Sequence, residues 1–512
     1  IQGRGIINAT LSAAYQVNNN VQVTLDSYFT NRRSSAVLNA EPVGAASVST
    51  KWTTGLTIPA KNSATGNELT VYKRLNEVGN RIFSDSVNTY QERIGANGSF
   101  SNGWNWDVGY IYGESDASSQ EENSINLTKL QQLVGNAECE SDAPDNCGSV
   151  TLMGTNSLTS DDIDYISYTS DDSSRYVQQI AYGDISGELP ITLPGGNIGV
   201  AFGVMYRGED ITVTPDSTKQ SGDAAEGNSS PTSGNYNVKS AYLEAKLPVL
   251  NNKPFVKDLS FDFAGRYSYY STSGHGTVYK GSMDWAVNDA IRFRAGYGTG
   301  ERAPQVGAEM YLGASTSADS YTDPCVSPSN STIAANCQKA GAYVSSDSSS
   351  FTQSNNQLTA IYEGNSNLKP EKSIQYNFGV VLTPDSLIPG LTITADYYNI
   401  HLKDMIGQVS ASTAINKCYD STDDMESNPY CQLFGDRNES TGQITTYTAK
   451  YMNLGWEHTD GIDFSVDYNT EALAHVFDLP DGTLFNFSLK GVWLNNMKEQ
   501  NLRRHGDAVR RQ

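Results

Sequence analysis

The residues able to bind metals, attack carbonyls or form covalent bridges fall into a few small groups. Five histidines, His275, His401, His458, His475 and His505, stand apart, with none at metal-ligand spacing from another. The chain holds no Gly-x-Ser-x-Gly elbow, no phosphate-binding Gly-x-x-x-x-Gly-Lys loop and no His-Glu-x-x-His pair. Nucleophilic, nucleotide and zinc-hydrolase chemistry therefore lack the residues that run them. The chain is expected not to be an enzyme and to need no cofactor. Asp161, Asp162 and Asp164, with Asp171 and Asp172, form an acidic group in a polar stretch. Calcium favours several carboxylates in one loop. The glycine that an EF-hand turn requires is missing, so a solvated acidic loop is the simpler reading and no metal site is expected.

The six cysteines fall into three local pairs, Cys139/Cys147, Cys325/Cys337 and Cys418/Cys431, each inside one polar loop. Even number, short spacing and loop context favour three disulfides in an oxidising compartment, although spacing by itself does not fix the pairing. A four-cysteine zinc site needs closer Cys-x-x-Cys pairs.

Binding of a small polar ligand needs aromatic platforms beside hydrogen-bonding groups in a concave site. The loop tyrosines Tyr311, Tyr321, Tyr343, Tyr362, Tyr419 and Tyr430 are the candidates, each weighed against ordinary loop packing. Disulfides that hold the loops in shape would lower the ordering cost of binding. Two proline segments have a structural reading. Pro304 restricts Ala303 to extended backbone and withholds a ladder donor, so a strand ends near Arg302. Lys369-Pro370-Glu371 does the same where the chain re-enters a sheet. The sequon Asn330-Ser331-Thr332 reads as chance in a polar loop.

These groups sit between segments of strict alternation. Along 259–269, Leu259, Phe261, Phe263, Tyr267 and Tyr269 share one face, and Ser260, Asp262, Ala264, Arg266 and Ser268 share the other. Period two over such a length is a strand signal and fits a tilted membrane-crossing strand of about 9–11 residues. The pattern recurs through Trp104–Tyr112, Ile198–Tyr206, Ile291–Tyr297 and Phe485–Trp493, often with Trp or Tyr at an end, as an aromatic girdle would place them. Short turns are expected at Val17–Asn20, Ser101–Gly103, Leu193–Asn197, Ala286–Asp289 and Thr383–Gly390. His275 is placed in a short loop and His401 at a strand end. Long loops are expected near 114–175, 209–236, 301–372 and 404–449. Short turns on one side and long loops on the other are the habit of outer-membrane barrels, here with roughly 14–16 strands. All six cysteines then lie outside the cell. A soluble sandwich would rarely need four such loops, and no short internal repeat supports a propeller or β-helix.

Composition agrees. The 512 residues carry 30 Tyr and 45 Gly, and mean hydropathy is −0.46. No apolar run reaches the length of a helical span, a test that an alternating barrel strand escapes. The net charge of −22 argues against nucleic acid, which needs basic surface.

Two segments add a family. Residues 297–309 read Tyr-Gly-Thr-Gly-Glu-Arg-Ala-Pro-Gln-Val-Gly-Ala-Glu, and 363–371 read Glu-Gly-Asn-Ser-Asn-Leu-Lys-Pro-Glu. In this order they resemble the Tyr-Ser-x-x-Phe-Arg-Ala-Pro-x-x-x-Glu and Asn-x-x-Leu-x-Pro-Glu segments of TonB-dependent outer-membrane receptors. The matching residues are Arg302, Ala303, Pro304, Glu309, Asn365, Leu368, Pro370 and Glu371. A third segment, with Asn453, Gly455, Gly461 and Ile462, is similar to the family's Asn-x-Gly…Gly-Ile-Glu strand pair, with Asp463 replacing Glu. Finer features resemble a large proteobacterial subgroup: Arg74–Arg81 followed by Trp104–Val108, Asp323-Pro324-Cys325 with Asn336-Cys337, and Cys418 with Asn428-Pro429-Tyr430-Cys431. The resemblance implies an all-β transmembrane antiparallel barrel, part of a 22-stranded type, in the outer membrane of a Gram-negative bacterium. It implies import of a scarce nutrient (a carbohydrate, a siderophore or similar) bound by extracellular loops. The implied partners are outer-membrane lipid, the nutrient, and the TonB-ExbB-ExbD complex reached through a plug and TonB box that these residues do not include. The expected organisation is a partial barrel over 1–502 and an atypical tail over 503–512, both ends reading as cut. The alternative is a passive porin or substrate-specific diffusion channel. A surface adhesion or phage-receptor role suits the same loops.

Overall fold

The computed structural model describes residues 3–44, 56–343, 351–453, 455–470, 480 and 482–500. His475, His505 and the 503–512 tail lie outside them. Fourteen strands make one sheet in which each pairs antiparallel with the next along the chain. They are β1 (Gly3–Asn18), β2 (Val21–Leu38), β3 (Arg81–Ser99), β4 (Asn105–Ile125), β5 (Ser167–Leu193), β6 (Gly196–Thr214) and β7 (Thr232–Lys253). The second half holds β8 (Val256–Tyr270), β9 (Gly274–Ala286), β10 (Ile291–Arg302), β11 (Glu371–Leu382), β12 (Leu391–Lys403), β13 (Trp456–Thr470) and β14 (Phe485–Gln500). The expected all-β meander is present, and no described helix is long and apolar enough to cross a membrane.

Alternation puts apolar side chains on one face, and the register keeps them together across strands. Phe263 lies opposite Gly281, Tyr297 opposite Tyr376, and Tyr397 opposite Ile462. These side chains are not covered by protein: Tyr15 is 72% exposed and Leu489 62%. Soluble monomers rarely expose so large a contiguous apolar surface. The opposite face is polar, with charges paired over intervening strands. Asp184 of β5 accepts from the Tyr242 hydroxyl of β7 at 2.7 Å, and Arg294 Nε of β10 donates to Asp396 Oδ1 of β12 at 2.6 Å. Glycine permits this. A Cβ on Gly203 would stand 2.0 Å from Asp184 Oδ1, and one on Gly379 would stand 1.9 Å from Asp396 Oδ1.

Connections alternate in length. One end has the turns 19–20, 100–104, 194–195, 254–255, 287–290 and 383–390. The other has 39–80, 126–166, 215–231, 303–370 and 404–455, with only 271–273 short. Two expectations need correction. The loop expected over 114–175 is strand at both flanks, because β4 and β5 stay paired up to Ile125 and Ser167. Polar cross-strand pairs hold the ladder where apolar alternation stops: Arg175 Nε donates to Glu114 at 3.0 Å, and Ser118 donates to Asp171 at 3.1 Å. His275 lies inside β9, opposite Tyr269, and not in a loop.

The buried core sits in the long connections. They carry helices α1 (Leu127–Val134), α2 (Ser160–Ile166), α3 (Ser217–Ser221), α4 (Ser331–Lys339) and α5 (Ala411–Tyr419). The first two loops enclose Leu56, Leu75, Leu130, Leu133 and Ile166, and the last two enclose Leu358, Ile415, Ile444 and Tyr447. All nine are at most 2% exposed.

A loop cap and the rim that carries it

Arg302 is the last residue of β10 and stands in register with Glu371, the first of β11. Its Nε donates to Glu371 at 2.6 Å, while its two terminal nitrogens donate to Glu309 at 3.1 and 3.2 Å. Pro304 lacks an amide hydrogen and is buried, so the chain leaves the sheet there and turns through one π-helical turn, Val306–Met310. That turn brings Glu309 back under Arg302. The other Glu371 oxygen accepts from the Ile406 amide at 2.7 Å, tying in the connection after β12. Asn365 accepts nothing from Arg302. Its amide donates to the Tyr451 carbonyl at 2.8 Å and its backbone amide to the Glu309 carbonyl at 2.8 Å. Asn453 closes the ring, donating to the Lys369 and Asp404 carbonyls. Leu368 is buried beside it, and Pro370 stands directly before β11. Gly461 lies at a bulge between β13 and β14. The proline segments expected to end and restart strands thus meet in one hydrogen-bonded knot.

Above this knot the 303–370 and 404–455 connections fold together. The short strand Gln357–Glu363 pairs antiparallel with Ser315–Ser320 of its own loop and parallel with Thr446–Lys450 of the other. Their shared core is closed by disulfides Cys325–Cys337 and Cys418–Cys431; Cys139–Cys147 closes a turn in the 126–166 connection. At the centre lies an ion pair, Arg437 Nη1 to Asp323 Oδ2 at 2.7 Å, with side chains 4% and 0% exposed. Arg437 also donates to the Tyr419 hydroxyl at 2.9 Å and lies over the Phe351 ring. Burial opposes the guanidinium charge, yet the Asp323 hydrogen bond holds its pKa above the ordinary value. Asp323 meanwhile caps the turn at Pro324 by accepting from the Cys325 amide. The sequence marks Asp323-Pro324-Cys325 as a unit, but no local signal joins it to Arg437, far along the chain.

A second body forms from the 39–80 and 126–166 connections. Asn62 donates to the Val134 and Gly148 carbonyls, both at 2.8 Å. Asp162, one of the acidic group, is wholly buried and completes a capping box with Thr159 at the start of α2. Among the described residues no group of acids, histidines or cysteines is placed to hold a metal ion. The 215–231 connection joins the two bodies. Leu127 N donates to Asp223 O on one side, and Thr316 N to Asn228 O on the other. Near this junction Glu41 and Glu121 both face Arg81, at 2.6 and 3.3 Å. Burial outweighs the Arg81 attraction and pushes Glu41 up to about 7. Burial also raises Glu226, whose carboxylate takes the Tyr168 hydroxyl at 2.8 Å.

The six tyrosines do not form one platform. Tyr321 and Tyr419 are 2% and 3% exposed. Tyr321 donates to the Ile444 carbonyl and takes the Gln443 amide, so both rings are core and are corrected as ligand platforms. The cause is that each hydroxyl has an internal partner, which lets a large ring be buried. Tyr343, Tyr362 and Tyr430 pack against the margin of the same core. Tyr311 is 40% exposed and stands apart, beside Gly234 of β7.

Comparison with known proteins follows this geometry. No curated protein matches the chain. Among solved structures, a mutant of the ferric enterobactin receptor PfeA from Pseudomonas aeruginosa is similar at TM-score 0.51 and 12% identity, over 97% of this chain and 52% of that one. The siderophore receptor PirA from Acinetobacter baumannii gives TM-score 0.49 and 14% identity, over 97% and 54%. The RagAB peptide transporter gives 0.49 and 14%, over 97% and 47%. The chain spans about half the length of these structures. The family model "TonB dependent receptor-like, beta-barrel" matches residues 18–504. That span takes in the rim knot, the loop cap and thirteen of the strands completely or nearly so, and the chain belongs to the TonB-dependent receptor β-barrel family.

Proposed function

We propose that this chain forms the membrane wall and extracellular cap of an outer-membrane receptor that takes up a scarce nutrient with energy from TonB. The apolar face meets lipid, the polar face lines the passage, and the long connections stand outside the cell. The observation that carries this reading is the cap itself. Two connections from different hairpins share one core and are fixed to the rim by Arg302, Glu309 and Glu371. A passive channel needs no such body over its mouth. Capture of a dilute ligand gains from loops ordered beforehand, because less freedom is lost on binding.

Tyr311 is the loop tyrosine left open to a ligand, with Tyr343, Tyr362 and Tyr430 able to present an edge. The solved relatives include receptors named for siderophores and ferric enterobactin and a peptide transporter. Iron chelates, peptides and oligosaccharides are the classes to assay. The test is uptake of radiolabelled members of these classes by cells producing the protein, with and without TonB. Uptake of one class that stops when TonB is removed supports the reading. Uptake indifferent to TonB would assign a diffusion channel instead.

A further inference from the structure

At the loop end of β11–β14, several basic side chains share the apolar, lipid-facing side of the sheet. Lys372 stands directly opposite Lys403, His401 opposite His458, and His458 opposite Lys498. Like charges directly opposite one another destabilise a sheet. None of the three lysines forms an ion pair among the described residues, and Lys372 and Lys403 are exposed. Two acids lie on the same face. The Glu301 carboxylate is turned over Gly276 of β9, away from its register partner Lys372. Asp460 accepts from the amides of Asn495 and Asn496 and lies 4.0 Å from His458 Nε2, so it faces the β13–β14 side of the group and not Lys372 or Lys403. Lys372 and Lys403 are thus a self-repelling pair without an ion-pair partner among the described residues, and Lys498 extends the basic surface beside them, in a protein whose net charge is −22.

Their height in the membrane is set by aromatic rings. Tyr279, Tyr297, Tyr376 and Tyr397 form a contiguous row on the same face, where tyrosine belongs at a water interface. Lys372 lies four residues nearer the loops than Tyr376, about 13 Å along the strand. Trp456 stacks on His401 at this level. A charge there sits above the hydrocarbon, in the headgroup layer, where lysine attracts anionic lipid.

We propose that Lys372, Lys403 and Lys498, with His401 and His458, form a binding surface for phosphate groups on lipids of the outer leaflet. This inference rests on the outer-membrane placement proposed above. The phosphates supply the negative charge that the lysines lack, and the tyrosine row and Trp456 seat the glycerol or sugar backbone beneath them.

The test reconstitutes the protein in phosphatidylcholine nanodiscs doped with diphosphoryl or monophosphoryl lipid A. Lipid retained after a detergent wash is counted by mass spectrometry. Wild-type protein should retain diphosphoryl lipid A about tenfold better than the K372Q/K403Q/K498Q variant. It should also prefer the diphosphoryl form, and salt should erase that preference. K253Q, at a turn on the opposite end, should behave as wild type. Equal retention by wild type and triple variant, or no preference between the two lipids in wild type, would overturn the proposal. If the triple variant fails to insert, the lipid preference and salt response of wild type decide the matter alone. Failure of wild type to protect its strands from protease in the nanodisc would overturn the membrane placement and this surface with it.

Discussion

The wall and the cap use the same side-chain types in opposite senses. In the wall, Leu489 and Tyr15 point away from the protein and are 62% and 72% exposed. In the cap, Ile415, Leu358 and Tyr447 point inward and are at most 1% exposed. The wall is one layer, held by its ladder and by polar rungs, with one apolar face left uncovered by protein. The cap is a small globular body with its own core, two disulfides and a buried ion pair. The rim knot is where one kind of folding gives way to the other.

That contrast sets the sizes of the expected effects. The largest belongs to the cap's buried pair. Arg437→Ala leaves Asp323 charged and unpaired at 0% exposure, which should cost the cap about 3–5 kcal/mol. Limited proteolysis should then cut within 303–455 while the strands stay protected. Equal cutting of wall and cap would mean that the two are one cooperative unit. Next come the disulfides. Cys325–Cys337 and Cys418–Cys431 close loops with sequence separations of 12 and 13, so each should contribute about 3 kcal/mol. Reductant should raise amide hydrogen exchange in the cap and leave β7–β10 unchanged.

A smaller effect is expected in the wall. Gly379→Ala places a methyl where Asp396 Oδ1 now lies, displacing its bond to Arg294. About 1–2 kcal/mol of wall stability should go, read as a lower temperature for loss of heat-modifiable migration. Cap proteolysis should not change. The last effect depends on pH. Glu41 has its pKa raised from 4.5 to about 7 by burial. An acid with a raised folded-state pKa favours the folded form below its unfolded value, and that contribution is lost as pH rises through the folded one. Protection of the 39–80 connection should therefore weaken by about 1 kcal/mol per pH unit between pH 4.5 and 7. Glu41→Gln should flatten this slope; an unchanged slope would place the titration elsewhere.

Much of the wall was legible because its periodicity is local. Phe261, Phe263, Tyr267 and Tyr269 declare their face within a few residues, and the register follows from short turns. The flanks of the 114–175 stretch were not legible, because Ser118 and Arg175 sustain a ladder through polar pairs that mimic loop composition. The connection at 39–80 went unmarked, as its apolar residues are scattered and gain meaning only against α1. The cap was half legible. Its cysteines pair within single loops, so spacing points to them, and Pro304 and Pro370 stand beside strand ends, where a missing amide donor does least harm. The parallel pairing of Gln357–Glu363 with Thr446–Lys450 and the Arg437–Asp323 pair depend on distant contacts that no local pattern carries. Tyr321 and Tyr419 were misplaced for the same reason: a tyrosine in a polar loop looks exposed until the loop is found to have a core.

The most direct test asks which end of the sheet stands outside the cell. The described cysteines are all in disulfides, so single introduced thiols report cleanly. Thr422→Cys lies on the exposed surface of the cap, and Ser101→Cys in the exposed turn between β3 and β4. Intact cells are treated with a maleimide too large and charged to cross the outer membrane. Labelling at 422 and none at 101 until the cells are lysed is the predicted result. Labelling at 101 in intact cells, or none at 422, would contradict an extracellular cap on a lipid-embedded wall.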